Sequence, residues 1–248
     1  MKYLLLFLIS FNTWAFDLTH KSYNDLLKKV VSRRGNQTLV DYKGLKKDPV
    51  VFNKYLGELS RVKRSEFSSW NKNDQLAFLI NAYNAFTLKL IIDNYPVKSI
   101  KKIGSFFSSP WKKKFFKLFA EKMSLDQIEH GMIRANYKEP RIHFAVNCAS
   151  IGCPNLGPFA FTGPKLDQQL NESSRLFVQD SEKNHFKNNT LYASKIFKWY
   201  GGDFKEKFGS YKGFIAGLIT EDKKTQELIK SGKIKTQYLD YDWNLNEK

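Results

Sequence analysis

Sulfur and imidazole are scarce in this chain, with two cysteines and four histidines in 248 residues. So few leave no zinc cluster of standard spacing. Acidic side chains are short as well: 24 Asp and Glu face 41 Lys and Arg, a formal net charge of +17. No internal repeat and no flexible linker interrupts the chain, which predicts one mature domain rather than several. What is present in quantity is apolar: 42% of the residues are hydrophobic and 15% aromatic. That excludes a disordered chain and allows one good-sized core.

Residues 1–15, MKYLLLFLISFNTWA, have the layout of an export signal. Lys2 supplies the positive start. The apolar run Tyr3 to Phe11 is too short for an ordinary membrane span, which needs about 20 apolar residues. Thr13 and Ala15 are small residues in a signal-peptidase pattern. Cleavage is expected after Ala15, leaving residues 16–248 exported, periplasmic or secreted. The alternative is a short N-terminal core helix. No later stretch reads as long and apolar enough to span a bilayer, so no transmembrane segment is expected in the mature chain. In an oxidising compartment two cysteines are expected to pair, which makes Cys148–Cys153 a candidate disulfide.

Helical spacing of Leu26, Leu27, Val30 and Val31 predicts an N-terminal arm, broken at Arg33-Arg34-Gly35-Asn36. A second helix is expected over Pro49 to Val62. The segment Asn73 to Asn94 reads as a helix with Asn73 as N-cap and Pro96 beyond its end. Its interior is apolar on nearly every side, so it is expected to be buried. Asn81 and Asn84 share a face of it, either tying it to its neighbours or lining a pocket. Short strands are expected around Lys112 to Phe119. Ser124 and Gln127 form a capping box that opens a helix carrying Glu129, His130 and Arg134. Arg141 to Asn147 alternates, with Ile142, Phe144 and Val146 against His143, Ala145 and Asn147, which predicts a half-buried central strand. Pro164 to Gln179 reads as an amphipathic helix and residues 181–190 as a polar loop. The fold expected is α+β: a helix-rich single domain around a small antiparallel sheet.

Several of these blocks together resemble the uncharacterised DUF547 family. They are Asn81-Ala82-Tyr83-Asn84, then Ile128-Glu129-His130, then Arg141 to Ser150 with Gly152-Cys153-Pro154, and finally Ser194 to Tyr200 with Asp203-Phe204. The similarity covers roughly residues 73–204. The resemblance implies no reaction, so chemistry has to come from the residues.

A thiol enzyme needs a thiolate, a base and a group that orients the base. Cys148 is the candidate nucleophile, His130 or His143 the base, and Glu129 or Asn147 the orienting group. Backbone N–H groups from Ala149 to Gly152 could serve as oxyanion donors. On a continuous strand His143 and Cys148 would point to opposite faces, which favours His130. Arg134 or Arg141 could bind an anionic group or lower the thiol pKa. Ser150 is a weaker nucleophile candidate, lacking the elbow motif. Adjacent Glu129 and His130 would diverge by about 100° on a helix, against a shared metal, and no cofactor is expected.

The lysine-rich segment 98–122, interleaved with Phe106, Phe107, Trp111, Phe115, Phe116 and Phe119, could dock on an anionic partner or be a solvated face. It has no nucleic-acid signature. Two readings stand: a thiol-dependent hydrolase or acyl transferase, and a non-enzymatic binding module for an anionic envelope ligand with the cysteines as a staple.

Overall fold

Asn71 begins the longest element. Its side chain accepts from the N–H groups of Asn73 and Asp74, and the helix Lys72–Asn94 follows. The cap is thus two residues earlier than Asn73, because Asn71 is the last residue with extended backbone. In the computed structural model, which describes residues 15–104 and 109–248, every residue from Gln75 to Leu88 in this helix is buried. The leader expected over residues 1–15 lies outside the described residues except for Ala15, as do Phe106 and Phe107. Contrary to the sequence reading, this helix is long and apolar enough to cross a membrane by length and composition, with 94% of its apolar window buried inside the protein.

The helices Lys21–Val30, Tyr42–Lys47 and Val50–Arg61 pack against one another and against this core helix. Their inward faces, including Tyr23, Leu27, Tyr42, Phe52, Tyr55 and Leu59, join it in one hydrophobic cluster. A second cluster forms around Phe144, Phe177, Phe197, Phe204, Ile215 and Ile229. It is supplied by the helices Leu166–Val178, Lys195–Tyr200, Tyr211–Ile219 and Lys223–Lys230.

Strands are few and short, so the fold is helix-rich with small sheets. Val31–Arg34 pairs antiparallel with Gln37–Val40, and Phe116–Leu118 with Glu121–Met123. Within the expected polar loop, His185–Lys187 pairs antiparallel with Thr190–Ala193, which pairs parallel with Lys235–Tyr238.

None of these is the expected central strand. Arg141 to Asn147 instead begins with the 3₁₀ turn Pro140–Phe144. Pro140 sits at its first position and the Glu139 carboxylate accepts from the Arg141 N–H. Alternation misleads here because every residue from Pro140 to Asn147 is buried. Ile142 and Val146 join the first cluster while Phe144 joins the second. A segment held between two cores has no solvent side to mark its period.

The C-terminal residues cross this junction as a strap. Ile151 and Gly152 N–H donate to the carbonyls of Asn244 and Asp242, and Asn246 N–H to that of Ala149. Gly152 is required by this approach: a Cβ there would sit 2.9 Å from the Asp242 nitrogen.

Candidate functional site

The turn Pro140–Phe144, the loop that follows it and the strap converge on a cavity of about 320 Å³. The helix expected after the Ser124–Gln127 capping box forms its opposite side. The box is present: Ser124 N–H donates to Gln127 Oε1, and Gln127 N–H to Ser124 Oγ. Beyond it the backbone is π-helical from Gln127 to Arg134. Such widened turns are rare and favour functional sites. Glu129 and His130 both border the cavity, Glu129 buried and His130 half-buried, so the expected divergence does not separate them.

Cys148 and His143 line the same cavity. The opposite-face argument fails because the chain between them is a helical turn and loop. The His143 Nε2–H donates to Asp203 Oδ2 at 2.7 Å. Asp203 is itself held by a two-point bond from Arg134, Nε to Oδ2 and Nη2 to Oδ1, each 2.7 Å. The hydrogen bond from His143, then the Arg134 guanidinium, hold the Asp203 carboxyl well below the usual range. Burial pushes the His143 imidazole the other way, below its ordinary value, so it is neutral near pH 7. Its Nδ1 is buried and unpartnered. The ring stacks on Tyr200, 4.0 Å between centroids. The Tyr200 hydroxyl is held protonated by burial and by the neighbouring Glu129 carboxylate.

Cys148 is half-buried, and its sulfur lies 3.1 Å from Ser150 Oγ and 3.2 Å from Tyr241 Oη. Ser150 Oγ donates on to Tyr241 Oη, leaving the phenol proton for the sulfur. Burial raises the thiol pKa, but hydrogen-bond contacts with Cys153, Ser150 and Tyr241 more than offset it, and the result is lowered. Cys153 goes well above its ordinary value because it is buried beside that sulfur. Both cysteines are free thiols, and Cys148 N–H donates to Cys153 Sγ at 2.8 Å.

Ala149, buried and with φ of 60°, holds the left-handed conformation that a Cβ disfavours. Such strain beside Cys148 fits a fixed turn. Of the N–H groups expected as oxyanion donors, three are engaged elsewhere: Ala149 donates to Asn147 Oδ1, and Ile151 and Gly152 donate to the strap. Cys148 N–H has only a weakly accepting sulfur as partner, and so is the donor most easily redirected.

Other expected site residues are framework. Asn81 donates to Phe161 O and accepts from Phe161 N–H. Asn84 donates to Ala145 O and accepts from Asn147 N–H, clamping the reactive loop as a strand partner would. Asn147 ties the loop's ends, donating to Pro154 O. Arg141 is bound to Glu139 and Asp167, away from the cavity. Arg134 meets the site through Asp203, through His130, whose Nδ1 it approaches at 2.8 Å, and over the Tyr200 ring at 5.2 Å. The carboxylate bonded to the His143 ring is that of Asp203. Asp203 stands in a block the resemblance singled out, a signal the role assignment left unused.

Aromatic walls complete the cavity, from Trp111, Trp199, Trp243, Tyr83, Tyr200 and Tyr241. Trp199 and Trp243 lie 5.8 Å apart and Tyr241 and Trp243 4.5 Å. Of the basic segment, Lys101, Lys102 and Lys112 to Lys114 are exposed, and none lines the cavity. Among the described residues no three His, Cys, Asp or Glu side chains are grouped to hold a metal ion.

Residues 67–178 match the family described as "Protein of unknown function, DUF547". The matched segment carries Cys148, His143, Glu129 and Arg134, whereas Asp203 and Tyr241 lie beyond it. No curated protein and no solved structure matches the chain.

Proposed function

We propose that this chain is an exported thiol-dependent hydrolase or acyl transferase in which Cys148 is the nucleophile, His143 the base and Asp203 the group that orients it. One observation carries the reading: a thiol of lowered pKa faces the same cavity as a neutral imidazole whose Nε2–H is locked onto Asp203 and whose Nδ1 is bare.

In this scheme His143 Nδ1 takes the Cys148 proton as the sulfur attacks an acyl carbon. The carbon's bond to the leaving group breaks, and that group departs with the proton from His143. Water then adds to the thioester, giving a proton to Nδ1. The carbon–sulfur bond breaks, the acid leaves, and the thiolate recovers the proton. Asp203 stabilises the imidazolium formed in each half, and Arg134 keeps Asp203 in place. The Cys148 N–H and the Tyr241 hydroxyl are the donors nearest the developing oxyanion.

Turnover of an activated ester such as p-nitrophenyl acetate tests this. The account expects Cys148→Ala to abolish the burst and turnover. Asp203→Asn should lower kcat about a hundredfold or more with KM little changed. Equal turnover in Cys148→Ala rejects the thiol mechanism.

Export is the second part of the proposal. Packing supports it: Phe16 N–H donates to Glu66 Oε1 at 2.9 Å, and its ring meets Trp70 and Phe78, so the first residue past the expected cleavage point is packed into the domain. A mature mass corresponding to Phe16–Lys248 is the expected product; retention of the leader contradicts it.

A further inference from the structure

We propose that the cavity takes acyl compounds carrying an alkylammonium group, held by Glu129 and the tryptophan wall; the acyl half of this statement rests on the thiol reading above, and the cation half does not. The first ground is charge. The protein carries a formal +17, yet among the described residues no lysine or arginine lines the cavity, while Asp126 and Glu129 do. The nearby cation is already neutralised, since Arg134 is bound at two points to Asp203. His130 presents its Nδ1 to an Arg134 N–H, and its Nε2 lies 3.8 Å from Asp126 Oδ1. Lys101 lies over a Trp243 face.

The second ground is the position of Glu129. It is 5% exposed, with the Tyr200 hydroxyl as a neighbouring donor, and a buried carboxylate gains further from a cation placed beside it. It also opposes thiolate formation at Cys148. Beside a nucleophile this is a liability, and a cation bound against Glu129 removes it: the substrate's own charge then favours the thiolate. An anionic acyl group would meet the thiolate and two carboxylates, so the anionic ligand expected from composition does not suit this cavity.

The third ground is the wall. Trp111, Trp199 and Trp243 gather with Tyr200 and Tyr241 around the acidic side. Aromatic faces with a carboxylate are the chemistry that recognises ammonium groups. Two of the cavity's rings already carry a cation: Lys101 Nζ lies 4.9 Å from the Trp243 ring centre and the Arg134 guanidinium 5.2 Å from that of Tyr200.

Binding can be read without catalysis, because three of the five tryptophans line the cavity. Tryptophan fluorescence of the full mature chain is titrated with choline, with its uncharged isostere 3,3-dimethylbutan-1-ol, and with 3,3-dimethylbutyrate, at matched ionic strength. The expected result is a saturable change with choline and about tenfold weaker binding of the alcohol. The carboxylate should give no saturation. Glu129→Gln should erase the preference for choline over the alcohol. Should that variant misfold, Trp199→Ala at an exposed position serves instead, with choline binding expected to weaken several-fold. Cys148→Ala should still saturate with choline and keep its preference over the alcohol, so failure of the acyl chemistry leaves this result untouched. Equal affinity for choline and the alcohol, tighter binding of the carboxylate, or no saturation with any probe overturns the cation site.

Discussion

Tyr241 does at one residue what basic side chains do at many reactive thiols. Its hydroxyl proton is directed at the Cys148 sulfur because Ser150 supplies the other hydrogen bond. The lowered thiol pKa thus depends on neutral donors, not on a nearby cation. Removing one such donor should raise the thiol pKa by about one unit, since a hydrogen bond to a charged group is worth about 1.5–3 kcal/mol before compensation. Tyr241→Phe should therefore alkylate with iodoacetamide about tenfold more slowly near pH 7, read as loss of free thiol by mass. At this scale the sequence was informative about Cys148, Glu129, His130 and His143, because chemistry follows residue type. It did not reveal Asp203 or Tyr241 as partners, 60 residues from His143 and 93 from Cys148 respectively. Pairing across such separations is a product of the fold, which spacing does not report.

Elements explain why the loop holds its shape without a sheet. Asn84 and Asn147 act as substitute strands, each accepting one N–H and donating to one carbonyl near Cys148. Asn84→Ala would leave the Ala145 carbonyl and the Asn147 N–H unpaired in the core. A cost of about 2–5 kcal/mol is expected, seen as a lower denaturant midpoint with unchanged slope. The core helix, the capping box and the Val50–Arg61 helix were legible from apolar content, proline and the Ser124–Gln127 pair, although the core helix is capped by Asn71 rather than Asn73. The Pro140–Phe144 turn was not: its two buried faces produced a strand-like alternation, and only Glu139-Pro140 hinted at a helical start. The strap was equally hidden, since its bonds to the loop are backbone bonds open to many sequences.

The whole molecule carries its acid sensitivity on buried histidines as well as on carboxylates. His20 is buried against Tyr55, and burial lowers its pKa from 6.5 to about 4. His143 is lowered for the same reason. Between those values the unfolded chain binds a proton that the folded chain refuses. Stability is therefore full above about pH 6.5 and falls as pH drops toward 4. At about 1.4 kcal/mol per unit, His20 alone accounts for about 3 kcal/mol. Urea midpoints from pH 7 to 4 should decline, and His20→Gln should flatten part of that decline. Asp203 adds its loss only lower, as pH falls below about 4 toward its depressed folded value. The central claim, an activated Cys148 in a cavity shared with His143, is tested most directly by the pH dependence of Cys148 alkylation in the folded mature chain. The account predicts a midpoint below about 8.5, the ordinary cysteine value, with Cys153 unlabelled throughout. A midpoint at or above that value, or equal labelling of both thiols, would contradict it.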